Sequence, residues 1–280
     1  MTAYEFFFSP VLFVLLGLMI GSFLNVVIYR LPLMMDRAWR SECAELLGKD
    51  VELPPAISLA LPRSACPSCG HQIAWYENIP VLSYLFLRGK CSACNSRISP
   101  RYPLVEAFTG MVFGLVAWRV GPSPAVLMWS AFMSVLIALA GIDWDTTMLP
   151  DDLTLPLMWA GIVAAAAGWT IPLQTSIVGA IAGYMSLWTV YWGFKLLTGK
   201  EGMGHGDFKL LAALGACLGW QAITPILIGA GLVGAIVGIA MKAKSNLREG
   251  KYVPFGPFLA GSAMLAMLIG SVQLQKLLYG

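Results

Sequence analysis

The sequence predicts an all-α polytopic membrane protein of about eight transmembrane helices, with a small cytosolic zinc-binding domain inserted between the first and second. Three observations predict it. Hydrophobic residues make up 58% of the 280 residues and charged ones 12%, against roughly half and a quarter in soluble domains. Several apolar runs approach the ~20 residues that a helix rising ~1.5 Å per residue needs to cross the hydrocarbon core. Four of the six cysteines fall in two Cys-x-x-Cys pairs within the segment of ordinary polarity, residues 30–102. The lipid bilayer is the main surrounding, and nucleic acid is not an expected partner.

In chain order, the first run covers 10–28. It is preceded by Glu5 rather than by a basic cluster and shows no small-residue cleavage pattern, so it reads as a retained helix and not a removed signal. Residues 30–102 follow as a separate unit, with prolines at 54, 55, 62, 67, 80 and 100. Further spans are expected at 103–118, 124–142, 153–170, 175–196, 207–220, 222–241 and 255–276, the one from 207 being short. The expected division is therefore 1–29, a first membrane helix; 30–102, the inserted domain; and 103–280, a membrane core. Gly17 and Gly21, Gly110 and Gly114, Gly179 and Gly183, and Gly234 and Gly238 are small-xxx-small pairs that let helices approach closely.

Orientation follows from Lys and Arg. Nine lie between Arg30 and Arg101, three between Lys195 and Lys209 and four between Lys242 and Lys251, which leaves Arg119 and Lys276. The positive-inside rule puts 30–102 and the later basic loops in the cytosol and both termini outside. Thiols in the cytosol stay reduced.

Cys66-Pro-Ser-Cys69-Gly70 and Cys91-Ser-Ala-Cys94-Asn95 therefore predict a four-thiolate zinc site, structural because protein sulfurs fill all four positions. Arg63, Arg88, Lys90 and Arg97 are placed to offset the charge of four thiolates. A thioredoxin-like redox pair would need a βαβ pattern that the segment lacks. His71 reads as a surface residue, Cys43 as a loop thiol and Cys217 as a small core residue. Asn25, inside the first span, reads as a hydrogen-bonding link between helices.

Two aspartates remain at helix ends: Asp143 in GIDWD and Asp207 in EGMGHGDFK. Ionisable groups at such depth are functional candidates by default, and the charge map puts both on the cytosolic side. Asp145 is two positions from Asp143 and cannot share its helix face, so it is a supporting residue. Asp151 and Asp152 follow Pro150 as helix-start acids. Asp207 also opens a run, yet Gly202, Gly204 and Gly206 surround it, and glycines permit positive φ and close backbone approach. Facing carboxylates share one proton. The ionised one can take a proton from water and the protonated one can polarise a peptide carbonyl, which is aspartic-protease chemistry. His205, inside the glycine turn, reads as a variable loop residue.

The residues resemble the type IV prepilin peptidases, membrane aspartic proteases of the GxGD class. The likeness covers nearly the whole chain through GSFLNVVIYRLP (21–32), the two Cys pairs, ENIPVLSYL (77–85), RYPLVE (101–106), IDWDTTMLPD (142–151) and GMGHGDFKLLAALGA (202–216). The resemblance implies Asp143 and Asp207 as the catalytic aspartates, with Gly204, Gly206 and Asp145 in support. It implies prepilins and type II secretion pseudopilins as substrates, cut after a glycine on the cytosolic side of a bacterial inner membrane. It also implies N-methylation of the new terminus from S-adenosylmethionine, for which 30–102 carries no GxGxxG loop. A proton- or ion-coupled transporter is the rival reading, and it would place acids near the bilayer middle rather than at helix ends.

Overall fold

The structure, a computed structural model, describes residues 6–48, 53–200, 202–243 and 253–270. The basic loop from 244 and residues 271–276 of the last expected span lie outside the described residues. Nine α-helices are described: α1 Pro10–Leu47, α2 Leu82–Phe86, α3 Arg101–Val120, α4 Ala125–Thr146, α5 Asp151–Ala166, α6 Leu173–Thr198, α7 His205–Leu218, α8 Ile223–Ala243 and α9 Gly256–Ile269. Pairing between extended residues is confined, among the described residues, to isolated bridges at Ala65–Gln72 and Lys90–Arg97.

Among the described residues, five stretches are long and apolar enough to cross a membrane: α1, α3, α4, α6 and Trp220–Ala243, which joins a 3-10 turn to α8. Helices α5, α7 and α9 have 16, 14 and 14 described residues. Among the described residues, the eight expected runs thus correspond to five stretches of full length and three with fewer helical residues. The chain forms two compact units, Met1–Ser134 and Val135–Gly280.

In the first unit α1 does not stop near residue 30. It runs through Pro32 for 38 residues and ends where Gly48, in the left-handed region at φ 59, returns its N–H to the carbonyls of Ala44 and Glu45. Helices α1 and α3 pack along the glycine face predicted for them: a Cβ on Gly21 would lie 2.7 Å from the Cα of Glu106. At the same seam Asn25 Nδ2 donates to the carbonyl of Tyr102 at 3.1 Å, the expected interhelical link. Glu106 is also buried there and accepts the N–H of Val81 at 2.8 Å, tying the start of α2 to the membrane helix.

The second unit is built around α7. Residues Asp207 to Cys217 of this helix are buried except for Lys209, with Leu210, Leu211, Ala213 and Leu214 fully so, because α5, α6 and α9 pack against it. Helices α6 and α7 come so close at Gly179 and Gly215 that a Cβ on either would collide with the other's carbonyl. Ser176 adds a buried hydrogen bond to the carbonyl of Ala216 at 2.7 Å. Beyond its first turn only Lys209 and Leu218 keep partial exposure, so α7 needs little polar face and can be both short and hydrophobic.

Candidate active site and cysteine cluster

The cysteine cluster lies in the first unit. Each Cys pair sits on a turn closed by the same two backbone bonds. Gly70 N–H donates to Cys66 O (2.9 Å) and Cys66 N–H to His71 O (2.8 Å). Asn95 N–H donates to Cys91 O (3.0 Å) and Cys91 N–H to Ser96 O (2.9 Å). Gly70 (φ 73) and Asn95 (φ 57) occupy equivalent left-handed positions, and these two residue types tolerate that region best. The turns bring all four Sγ atoms within 4.8 Å of one another, with Cys66–Cys94 at 3.8 Å and Cys69–Cys91 at 4.0 Å. A tetrahedron of sulfurs ~2.3 Å from zinc has edges of about 3.8 Å, so the spacing fits a tetrahedral metal.

Thiol electrostatics agree with that fit. The Ser96 hydroxyl, then backbone N–H groups of the first turn, lower the Cys66 thiol to about 6, and Ser96 lowers Cys94 as well. At Cys69 the His71 backbone favours ionisation, but crowding by Cys94, burial and the other thiols outweigh it and raise the thiol to about 12. Four sulfurs this close cannot all ionise without a cation among them. His71 stands outside the cluster: its Nε2 is 3.2 Å from Glu77 Oε2 and 3.4 Å from Ser92 Oγ. Glu77 also accepts the Ala74 N–H at 2.8 Å and so ties together the neighbours of both turns.

The two aspartates lie in the second unit, at the ends of different helices. Asp143 is in the last turn of α4 and 5% exposed; Asp207 is in the first turn of α7 and 8% exposed. Asp143 acts electrostatically on the Asp207 carboxyl. Asp145 is exposed, as the two-residue offset on a helix requires. The N-cap of α7 is Gly204, which has no side chain to cap the helix, and Asp207 is the acidic residue of the first turn. Two buried carboxylates that interact are costly in stability, which makes the pair a candidate site.

The glycines near Asp207 serve differently from the expectation. Gly202, Gly204 and Gly206 are not among the residues with positive φ, so backbone freedom does not explain them. Space does at two of them: a Cβ on Gly206 would meet Leu149 at 2.8 Å and one on Gly202 would meet Phe194 at 3.0 Å. His205 opens α7 exposed, its ring 5.1 Å from Tyr191 and 5.4 Å from Phe208, an aromatic stack on the helix start. Asp151 is paired with Lys209 at 2.7 Å, a partner that its position as a helix-start acid did not reveal.

Gly256 and Leu149, not singled out by the sequence, pack around the aspartates' surroundings, and Gly256 bonds one of them. Gly256 N–H, at the start of α9, donates to Asp143 Oδ2 at 2.9 Å. Leu149, in the α4–α5 connection, packs against both Gly206 and Gly256. The signal for the first was present in Pro254-Phe-Gly-Pro257, where two prolines frame a glycine at a helix start.

A model described as "Bacterial Peptidase A24 N-terminal domain" matches residues 15–120, and one described as "Type IV leader peptidase family" matches residues 130–239. A protein of Pseudomonas putida named "Prepilin leader peptidase/N-methyltransferase" is 50% identical over 255 residues, covering 91% of this chain and 88% of its own. Proteins of the same name from Aeromonas salmonicida (strain A449) and Pseudomonas aeruginosa are 50% and 49% identical. They cover 91% and 92% of this chain and 89% of their own lengths. No solved structure matches.

Proposed function

The chain belongs to the type IV leader peptidase family, and we propose that it is a prepilin leader peptidase and N-methyltransferase whose peptidase dyad is Asp143 and Asp207. The observation that carries the dyad is the burial of two carboxylates from separate helix ends close enough to interact. In the reading we favour, the ionised aspartate takes a proton from water as the water oxygen attacks the scissile carbonyl carbon, and the other gives its proton to the carbonyl oxygen. Collapse of the tetrahedral diol breaks the C–N bond, with a proton delivered to the departing amine. Asp145 and the small residues Gly204 and Gly206 support the dyad without touching the reacting atoms.

The substrates of this reading are prepilins and the related pseudopilins of type II secretion, cut after a glycine at the cytosolic face of a bacterial inner membrane. The basic residues of 30–102 support that orientation through the positive-inside rule, with both termini periplasmic. The three shorter helices α5, α7 and α9 complete the eight spans, and 30–102 acts as the inserted domain between the first span and the 103–280 core. Cys66, Cys69, Cys91 and Cys94 would hold a structural zinc ion that cross-links the two turns.

Methyl transfer uses S-adenosylmethionine, which supplies the methyl group to the new terminal amine as that amine gives up a proton. A cavity of about 590 Å³ lined by Tyr84, Arg88, Lys90 and Arg97 is of ligand size, and its cations suit the carboxylate of that donor.

The test of the dyad is cleavage of one prepilin by Asp143→Asn and Asp207→Asn variants inserted normally in membranes. Each is expected to lose cleavage by at least about a thousandfold; near-normal processing by either removes that aspartate from the reaction.

A further inference from the structure

Gly256 begins α9 thirteen residues beyond the last described residue of α8 and outside the stretch that matches the peptidase family, which ends at 239. Its surroundings are closed, with Pro254, Gly256, Phe258, Leu259 and Ala260 all buried. Within them its N–H donates to Asp143 Oδ2 at 2.9 Å across 113 positions of sequence. Among the described residues, no donor to the Asp207 carboxylate is found. Gly256 is not in the positive-φ region, so glycine is not required by the backbone conformation. It is required by room: a Cβ would lie 2.7 Å from the same Oδ2 and 3.1 Å from Leu149 Cδ2.

We propose that Gly256 is a positioning residue of the peptidase site, whose backbone N–H holds one oxygen of Asp143 and thereby makes the two aspartates unequal. This rests on the reading of Asp143 and Asp207 as the catalytic pair. A hydrogen bond from an amide favours the ionised form of a carboxylate, and the first N–H groups of a helix have no partner inside it and carry partial positive charge. Asp143 is then the group that takes the proton from water, and Asp207 the group that gives one to the carbonyl oxygen. Because the donor is main chain, any residue at 256 other than glycine or proline would preserve the N–H and still displace the carboxylate by steric contact.

The experiment separates donor from space in the full chain reconstituted in nanodiscs. Replacing the Phe255–Gly256 amide by an ester, with glycolic acid in place of Gly256, removes the N–H and adds no atom to the cavity. Expected is a fall in kcat of about tenfold or more with KM changed less than twofold and the acidic limb of the kcat–pH profile displaced. Gly256→Ala should lower kcat at least as much, and adding Leu149→Ala should not restore it, since the Asp143 clash persists. Methyl transfer to an already cleaved pilin reports folding and should be unchanged in each. Ester-variant kcat within twofold of the parent with an unmoved pH limb overturns the proposal, and so does recovery of Gly256→Ala by Leu149→Ala. Cleavage retained by Asp143→Asn instead refutes the underlying dyad.

Discussion

Gly206 and Leu149 are in van der Waals contact: a Cβ on Gly206 would fall 2.8 Å from the Cβ of Leu149. Leu149 belongs to the connection leaving the Asp143 helix, and Gly206 precedes Asp207. The pair therefore sets how closely the two carboxylate-bearing segments approach.

Gly206→Ala should destabilise the protein by about 1–3 kcal/mol, the usual cost of overpacking. Leu149→Gly in the same chain, which takes away the Cβ that would be met, should remove most of that penalty. A double-mutant cycle on thermal unfolding in detergent would show a coupling above about 0.5 kcal/mol; simple additivity would mean that the two side chains do not compete for space.

Gly179 is a harsher position, because its would-be Cβ points at the Gly215 backbone and no rotamer change relieves it. Gly179→Ala is expected to reduce the amount of folded protein in membranes several-fold, read by immunoblot and by resistance to protease. Accumulation equal to the parent would show that α6 and α7 can separate without loss.

Cys66→Ser or Cys91→Ser should reduce bound zinc from about one ion per chain to almost none, measured by elemental analysis of purified protein. Methyl transfer is expected to fall further than cleavage, since the cluster and the aspartates lie in separate compact units. Parent-like metal content would exclude the four-thiolate site. Because thiolates, not thiols, bind the metal, acidification should release it.

Glu77 gives a pH dependence of known sign. Hydrogen bonds from Ser92 and then the Ala74 N–H, with His71 beside them, hold its carboxyl below the ordinary 4.5. The folded state thus binds this proton less readily than the unfolded one. The resulting stabilisation is present above 4.5 and lost as pH falls through the lower folded value. Glu77→Gln should melt a few degrees below the parent at pH 7, with the gap closing as the pH falls through the lowered folded value. A gap independent of pH would assign the effect to packing.

The Lys209–Asp151 pair, 33% and 50% exposed, should contribute little. Its double-mutant coupling is expected below about 1 kcal/mol and smaller still in 1 M salt. A larger, salt-insensitive coupling would point to a role in the site.

Much of the architecture was legible because it is written in local chemistry. Apolar run length predicts α1, α3, α4, α6 and α8, and Cys spacing with Gly70 and Asn95 predicts two like turns. The aspartates stood out because carboxylates at the ends of apolar runs are rare. Where the reading went astray was over the glycines at 202–206, assigned to backbone freedom when Gly202 and Gly206 serve side-chain packing, since composition cannot say which neighbour fills the space.

By itself, then, the sequence determined an all-helical membrane chain, the membership of a cysteine cluster and the identity of two unusual carboxylates, since these depend on residue type and short-range spacing. Only the tertiary structure decided which aspartate receives a backbone donor, that Glu77 joins the neighbours of both Cys turns and that α5, α6 and α9 bury most of α7. The Gly256–Asp143 bond spans 113 positions, and pairings over such distances follow from how helices pack, which no local pattern encodes.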